Sequence, residues 1–173
     1  MQRSYRKWLA HGGTGLLLFA LGVPHAAPLA TAQQVSAGTI VFPLMAPRLS
    51  STYGVREHPI RKVHRHHNGV DLAAPVNAHV RAVAPGKVVF ADSYAGYGKL
   101  VTIQHDNGFT SLYGHLHEIR VDPGELVNAG DIIGRVGSTG VATGPHLHFE
   151  WRHHGEPMDP LEVFPSLARD AEG

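Results

Sequence analysis

The sequence predicts an all-β domain built mainly from antiparallel sheet, and three observations carry that prediction. Short runs of β-branched and apolar residues recur along the chain, turn-forming dipeptides separate them, and no stretch beyond residue 33 holds a helical period of useful length. A chain of 173 residues with 43% hydrophobic composition suffices for one core and is too short for two comfortable ones.

Taken in order, residues 1–32 have the pattern of an export signal. Arg3, Arg6 and Lys7 precede an apolar run over 15–23, and Ala30-Thr31-Ala32 offers a small-residue cleavage site before Gln33. The run falls short of the roughly 20 apolar residues that span a bilayer. The expectation is therefore a soluble mature protein in the periplasm or outside the cell, with no stable membrane insertion after cleavage. Residues 33–50 read as a short lead-in, within which the folded domain begins at 41–42; the domain runs to 165, and 166–173 form a tail.

Strands are expected at 80–83, 87–91, 100–104, 109–115, 131–136 and 146–151, separated by Pro85-Gly86, Asn107-Gly108, Pro123-Gly124 and Gly130-Asp131. The Asn-Gly pair between two β runs calls for a tight hairpin.

Composition narrows the chemistry. Without the signal, twelve basic residues face fourteen acidic ones, and no basic patch argues for nucleic acid. The chain has no cysteine, which excludes disulfides, thiolate catalysis and cysteine-rich metal sites. A bound metal must then rest on histidine and carboxylate. Twelve of the fourteen histidines follow residue 32.

Two motifs place some of them. His146-Leu147-His148 lies in an expected strand, where residues two apart share a face, so both imidazoles can serve one site while Leu147 faces the core. His67-Asn68-Gly69-Val70-Asp71 sets a histidine and a carboxylate four apart, but Asn68-Gly69 is a poor helix interior, so a loop running into a strand presents this pair. Together they supply a His, Asp, His ligand set of the kind catalytic zinc uses, with a fourth position left for water. A third element, Tyr113-Gly114-His115, ends the strand after the Asn-Gly hairpin. Its histidine is either a buried group bonded to backbone or a catalytic group beside the metal.

The three motifs together resemble one family, the lysostaphin-like zinc metallopeptidases, whose shared unit is called the LytM domain. The resemblance rests on HNGVDLAAP from His67, on Tyr113-Gly114-His115-Leu116 and on Gly144-Pro145-His146-Leu147-His148-Phe149-Glu150. Tyr53-Gly54-Val55-Arg56 with His58-Pro59, and Val136-Gly137-Ser138-Thr139-Gly140, add to it, and it covers residues 41–164.

It implies one zinc per chain held by His67, Asp71 and His148, with His115 and His146 as the non-ligand catalytic histidines. It also implies a barrel-sandwich hybrid-like antiparallel fold with an open groove, and a monomer that hydrolyses peptide bonds in peptidoglycan cross-links or bridges. Noncatalytic relatives that activate another wall hydrolase typically lose ligands or catalytic histidines; all five are present here. A carrier domain of the biotinyl or lipoyl type would need a lysine at a hairpin tip, and Lys87 and Lys99 lack that setting.

Some family members also place a tyrosine near the reacting oxygen, which Tyr94 and Tyr97 both suit. Glu150 is expected in a cross-strand ion pair. His58, His64 and His66 belong to a polar loop at the groove rim, and His105, His153 and His154 to loops or surface.

Overall fold

The computed structural model describes residues 40–57 and 64–165. The expected export signal, the expected tail 166–173, and His58 with the other rim residues 59–63 lie outside the described residues.

Among the described residues twelve strands follow one another: β1 (Arg48–Ser51), β2 (Gly54–Glu57), β3 (His64–His67), β4 (Val70–Ala73), β5 (His79–Arg81), β6 (Gly86–Tyr94), β7 (Gly98–Gln104), β8 (Phe109–Ile119), β9 (Leu126–Val127), β10 (Ile132–Val136), β11 (His146–His153) and β12 (Glu156–Met158). One helical turn, α1 (Pro160–Val163), comes last, capped by the Asp159 carboxylate on the Leu161 N–H. All the pairings are antiparallel, as the sequence predicts.

The main sheet runs β1-β4-β11-β8-β7-β6-β9, with β10 joining β5 to β8 and β12 edging β11. Each of the six expected strands is present. The lead-in differs from expectation: β1 forms within it and pairs with β4, so residues 48–50 belong to the sheet. The polar rim also departs from a loop, because β2 and β3 pair as a separate two-stranded ribbon. Among the described residues, no helix is long and apolar enough to cross a membrane.

Alternation drives the packing. Val70 and Leu72 of β4, and Leu147, Phe149 and Trp151 of β11, point to one side and are buried with Val101, Ile103, Tyr113 and Ile133. The register sets Leu147 opposite Leu72 and Phe149 opposite Val70. The intervening residues must then face the other way, which puts His148 directly across from Asp71.

The β7–β8 hairpin forms where Asn107-Gly108 signalled it, with a turn one residue longer than the two-residue form. Gln104 pairs with Thr110, the His105 N–H donates to the Phe109 carbonyl at 2.9 Å, and Asp106, Asn107 and Gly108 make the bend. Asn107 and Gly108 both take positive φ, 57° and 77°, which asparagine and glycine tolerate best.

His105 falls in the loop after β7, one of the two settings expected of it, but not at the surface. It is buried, with Nδ1 2.7 Å from the Pro85 carbonyl and Nε2 2.8 Å from the Ser111 hydroxyl, and Ser111 in turn bonds the Tyr113 hydroxyl. Burial pushes the imidazole pKa down, only partly opposed by the bond to Pro85. Below the ordinary value of about 6.5 the unfolded chain takes up a proton that the folded chain refuses, so this residue removes stability as pH falls through that value. Denaturant midpoints measured from pH 7.5 to 5.0 are therefore expected to fall less steeply for His105→Gln than for wild type; parallel slopes would refute the linkage.

Candidate active site

The site is assembled on the face of β11 opposite the core. β11 lies between β4 and β8, with His148 paired to Asp71 on one side and to Gly114 on the other. The end of β3 brings in His67 beside them. Among the described residues, one group of three or more potential metal ligands converges: His67, Asp71 and His148.

The donor atoms form a tight triangle. His67 Nε2 lies 3.1 Å from Asp71 Oδ1 and 3.1 Å from His148 Nδ1, and His148 Nδ1 lies 2.9 Å from Asp71 Oδ1. Around an ion bound at zinc-like distances of about 2.0–2.1 Å, the edge of a tetrahedron is about 3.3 Å.

The outer hydrogen bonds show which atoms carry lone pairs inward. His67 Nδ1 donates to the Thr52 carbonyl at 2.8 Å, and His148 Nε2 donates to Glu150 Oε1 at 2.9 Å. Two unprotonated ring nitrogens and a carboxylate oxygen thus meet, an arrangement that repels itself unless a cation lies among them. The donor set fits a small divalent metal.

Burial alone would raise the Asp71 pKa, but the adjoining His148 and His67 imidazoles hold its carboxyl far below the usual range in the metal-free site. His148 is buried, which disfavours its charge, yet Asp71 and Glu150 together push its pKa up.

The structure brings His115 and His146 to the same face. Their ring centres are 4.6 Å apart, and His115 stands 5.9 Å from His148. Each presents Nε2, because each Nδ1 is 2.8 Å from a carbonyl oxygen, that of Thr139 for His115 and that of Gly144 for His146. His146 Nε2 is 3.7 Å from Asp71 Oδ1. Burial, and the imidazoles of His146 and His148, push the His115 pKa down despite its bond to Thr139.

His115 does not end its strand. It sits mid-β8 at φ 60°, in a bulge: between the pairs Lys99–Leu116 and Val101–Tyr113, β8 carries one residue more than β7. A non-glycine residue there costs about 1–2 kcal/mol.

A cleft of about 320 Å³, lined by Ser50, Ser51, Asp71, Thr143, Pro145 and His146, opens beside the triad. Asp71 and His146, which line it, keep 15% and 14% of their side-chain surface exposed, so the otherwise buried site is open to solvent there.

One residue departs from expectation. The ion-pair partner of Glu150 is Arg152 on the same strand, at 2.5 Å, and Glu150 also accepts from His148 and Tyr97. The signal was the period-two spacing of 148, 150 and 152, which aligns all three on one face. The tyrosines also separate. Tyr97 donates its hydroxyl to Glu150 at 2.7 Å, and burial together with that carboxylate pushes its pKa up to about 12, whereas Tyr94 is exposed and stacks on it. His66 is exposed and bonded to Asn68, His153 is half-buried against Phe109, and His154 is exposed.

An antiparallel β-sheet carrying a His, Asp, His triad with two further histidines beside it defines a candidate metallohydrolase domain. The family model of peptidase family M23 matches residues 65–160, and the chain belongs to that family. It is 45% identical over 130 residues to the DD-carboxypeptidase/endopeptidase Mpg of Neisseria meningitidis serogroup B, a match covering 75% of this chain and 30% of that protein. Against a zinc containing peptidase from Vibrio cholerae the TM-score is 0.65 with 36% identity, covering 68% of this chain and 37% of the other. Against the catalytic domain of lysostaphin from Staphylococcus simulans it is 0.61 with 32% identity, covering 70% and 92%. The chain thus spans less than a third of the curated relative and most of an isolated catalytic domain.

Proposed function

We propose that this chain is an exported zinc endopeptidase that hydrolyses D-amino-acid-containing peptide cross-links of peptidoglycan. The observation that carries the proposal is the convergence of three inward lone pairs within 3.1 Å of one another, flanked by two imidazoles whose Nε2 atoms remain available. Similarity to a DD-carboxypeptidase/endopeptidase supports the choice of bond, and the signal-like leader supports export.

In this reading His67 Nε2, Asp71 Oδ1 and His148 Nδ1 hold one zinc ion, whose chemistry when bound is to polarise a peptide carbonyl and lower the pKa of water toward neutrality. Asp71 contributes the negative charge that offsets a dication in a largely buried place. His115 and His146, anchored through Nδ1 to the Thr139 and Gly144 carbonyls, take and return protons at Nε2. His115, whose charged form burial disfavours, is neutral near pH 7 and able to accept a proton. The cleft beside Asp71 and His146 admits an extended peptide to these groups.

The test is digestion of isolated peptidoglycan by the zinc-loaded chain, with soluble fragments identified by mass spectrometry. Loss of cross-linked dimers with matching gain of monomers is expected. Intact dimers, or cleavage confined to the glycan, would overturn the proposal.

A further inference from the structure

The four site histidines are not oriented alike. His67, His115 and His146 each anchor Nδ1 on a main-chain carbonyl, that of Thr52, Thr139 and Gly144 respectively, and turn Nε2 inward. His148 is reversed: Nδ1 faces His67 and Asp71, and Nε2 meets the Glu150 side chain.

We propose that Glu150, clamped by Tyr97 and Arg152, is a positioning residue that selects Nδ1 of His148 as the atom offered to the metal. The inference rests on the metal-binding reading above and deepens it.

The geometry of the carboxylate carries the argument. Glu150 is wholly buried, and four N–H or O–H groups converge on it. Oε1 accepts from the Tyr97 hydroxyl at 2.7 Å and from His148 Nε2 at 2.9 Å; Oε2 accepts from Arg152 Nε at 2.7 Å and Nη2 at 2.5 Å. Arg152 alone would offset the charge, so the two donors on Oε1 are not needed for neutrality. They fix the carboxylate's rotation, and with it the direction from which His148 is held.

A carboxylate behind a ligand imidazole locks its tautomer and ring plane and raises its basicity. The chain makes room for this contact. A Cβ at Gly69 would overlap the Phe149 carbonyl oxygen and crowd Glu150 Cγ, so the turn between β3 and β4 passes over Glu150 only with glycine there.

The test uses the full chain with Glu150→Gln and Tyr97→Phe. Zinc affinity, measured by competition with a chromophoric chelator, is expected to fall about 10–100-fold in Glu150→Gln, and by a smaller factor in Tyr97→Phe, which leaves the Arg152 pair intact. Imidazole nitrogen chemical shifts of the metal-free protein, taken at a pH high enough for the ring to be neutral, should show His148 as the Nε2–H tautomer in wild type and as a mixture in Glu150→Gln. The loaded variant should lose kcat with KM little changed.

Wild-type affinity in a folded Glu150→Gln protein would overturn the proposal. So would an Nδ1–H tautomer of His148 in the wild type, a reading that needs no variant to fold. A wild type without peptidase activity but with these shifts in affinity and tautomer would sink the peptidase reading while supporting this one.

Discussion

His148→Ala is expected to abolish activity and to weaken zinc binding by on the order of 10²–10⁴-fold. The reasoning is arithmetic on the site. Zinc held by protein ligands is worth about 10–16 kcal/mol, and one of three ligands accounts for roughly a third of that. Unlike His67, whose outer nitrogen rests on the Thr52 carbonyl, His148 joins two carboxylates, with Nδ1 on Asp71 and Nε2 on Glu150. Its removal takes away one ligand, leaves Asp71 beside His67 and strips Glu150 of one of four donors. Arg152 still pairs with Glu150, so the fold should survive. Metal content after dialysis and peptidoglycan turnover check the result together, and full occupancy in the variant would remove His148 from the ligand set.

The fold was legible where strands are apolar or alternate, and obscure where they are not. Tyr113, Leu147 and Phe149 announce β8 and β11 because one face of each must be buried. β2 and β3 are short and rich in histidine and arginine, and β1 is four residues with a leucine on one side only; none offers a period to count. Their pairing comes from tertiary context, which overrides weak local preference.

In the candidate site, residue spacing pointed to the converging side chains, and the family resemblance assigned them roles. What spacing does not encode is direction. That His148 turns Nδ1 inward while three neighbours turn Nε2 inward depends on a buried carboxylate two residues along, and sequence cannot show that Glu150 is wholly buried. His105 makes the same point: an isolated histidine after a strand gives no sign of burial until Pro85 and Ser111 are seen on either side of its ring.

His115 is where strain and proposed chemistry coincide, and it supports the second large effect. Removing its imidazole with His115→Ala is expected to lower kcat by about 10²–10⁴-fold, the usual worth of an acid or base, while zinc content stays at the wild-type level because Nε2 of His115 lies outside the ligand triangle. The bulge allows a sharper comparison. At φ 60° alanine keeps the left-handed penalty and glycine does not, so His115→Gly should be more stable than His115→Ala by about 0.5–1 kcal/mol. Both should be equally inactive. A glycine variant that regained activity would show that backbone relaxation, rather than the imidazole, limits the alanine variant, and a stability order reversed from this one would mean that the bulge does not persist without the histidine. Inactivity shared by two proteins of different stability, both retaining zinc, leaves proton transfer at Nε2 as the function lost.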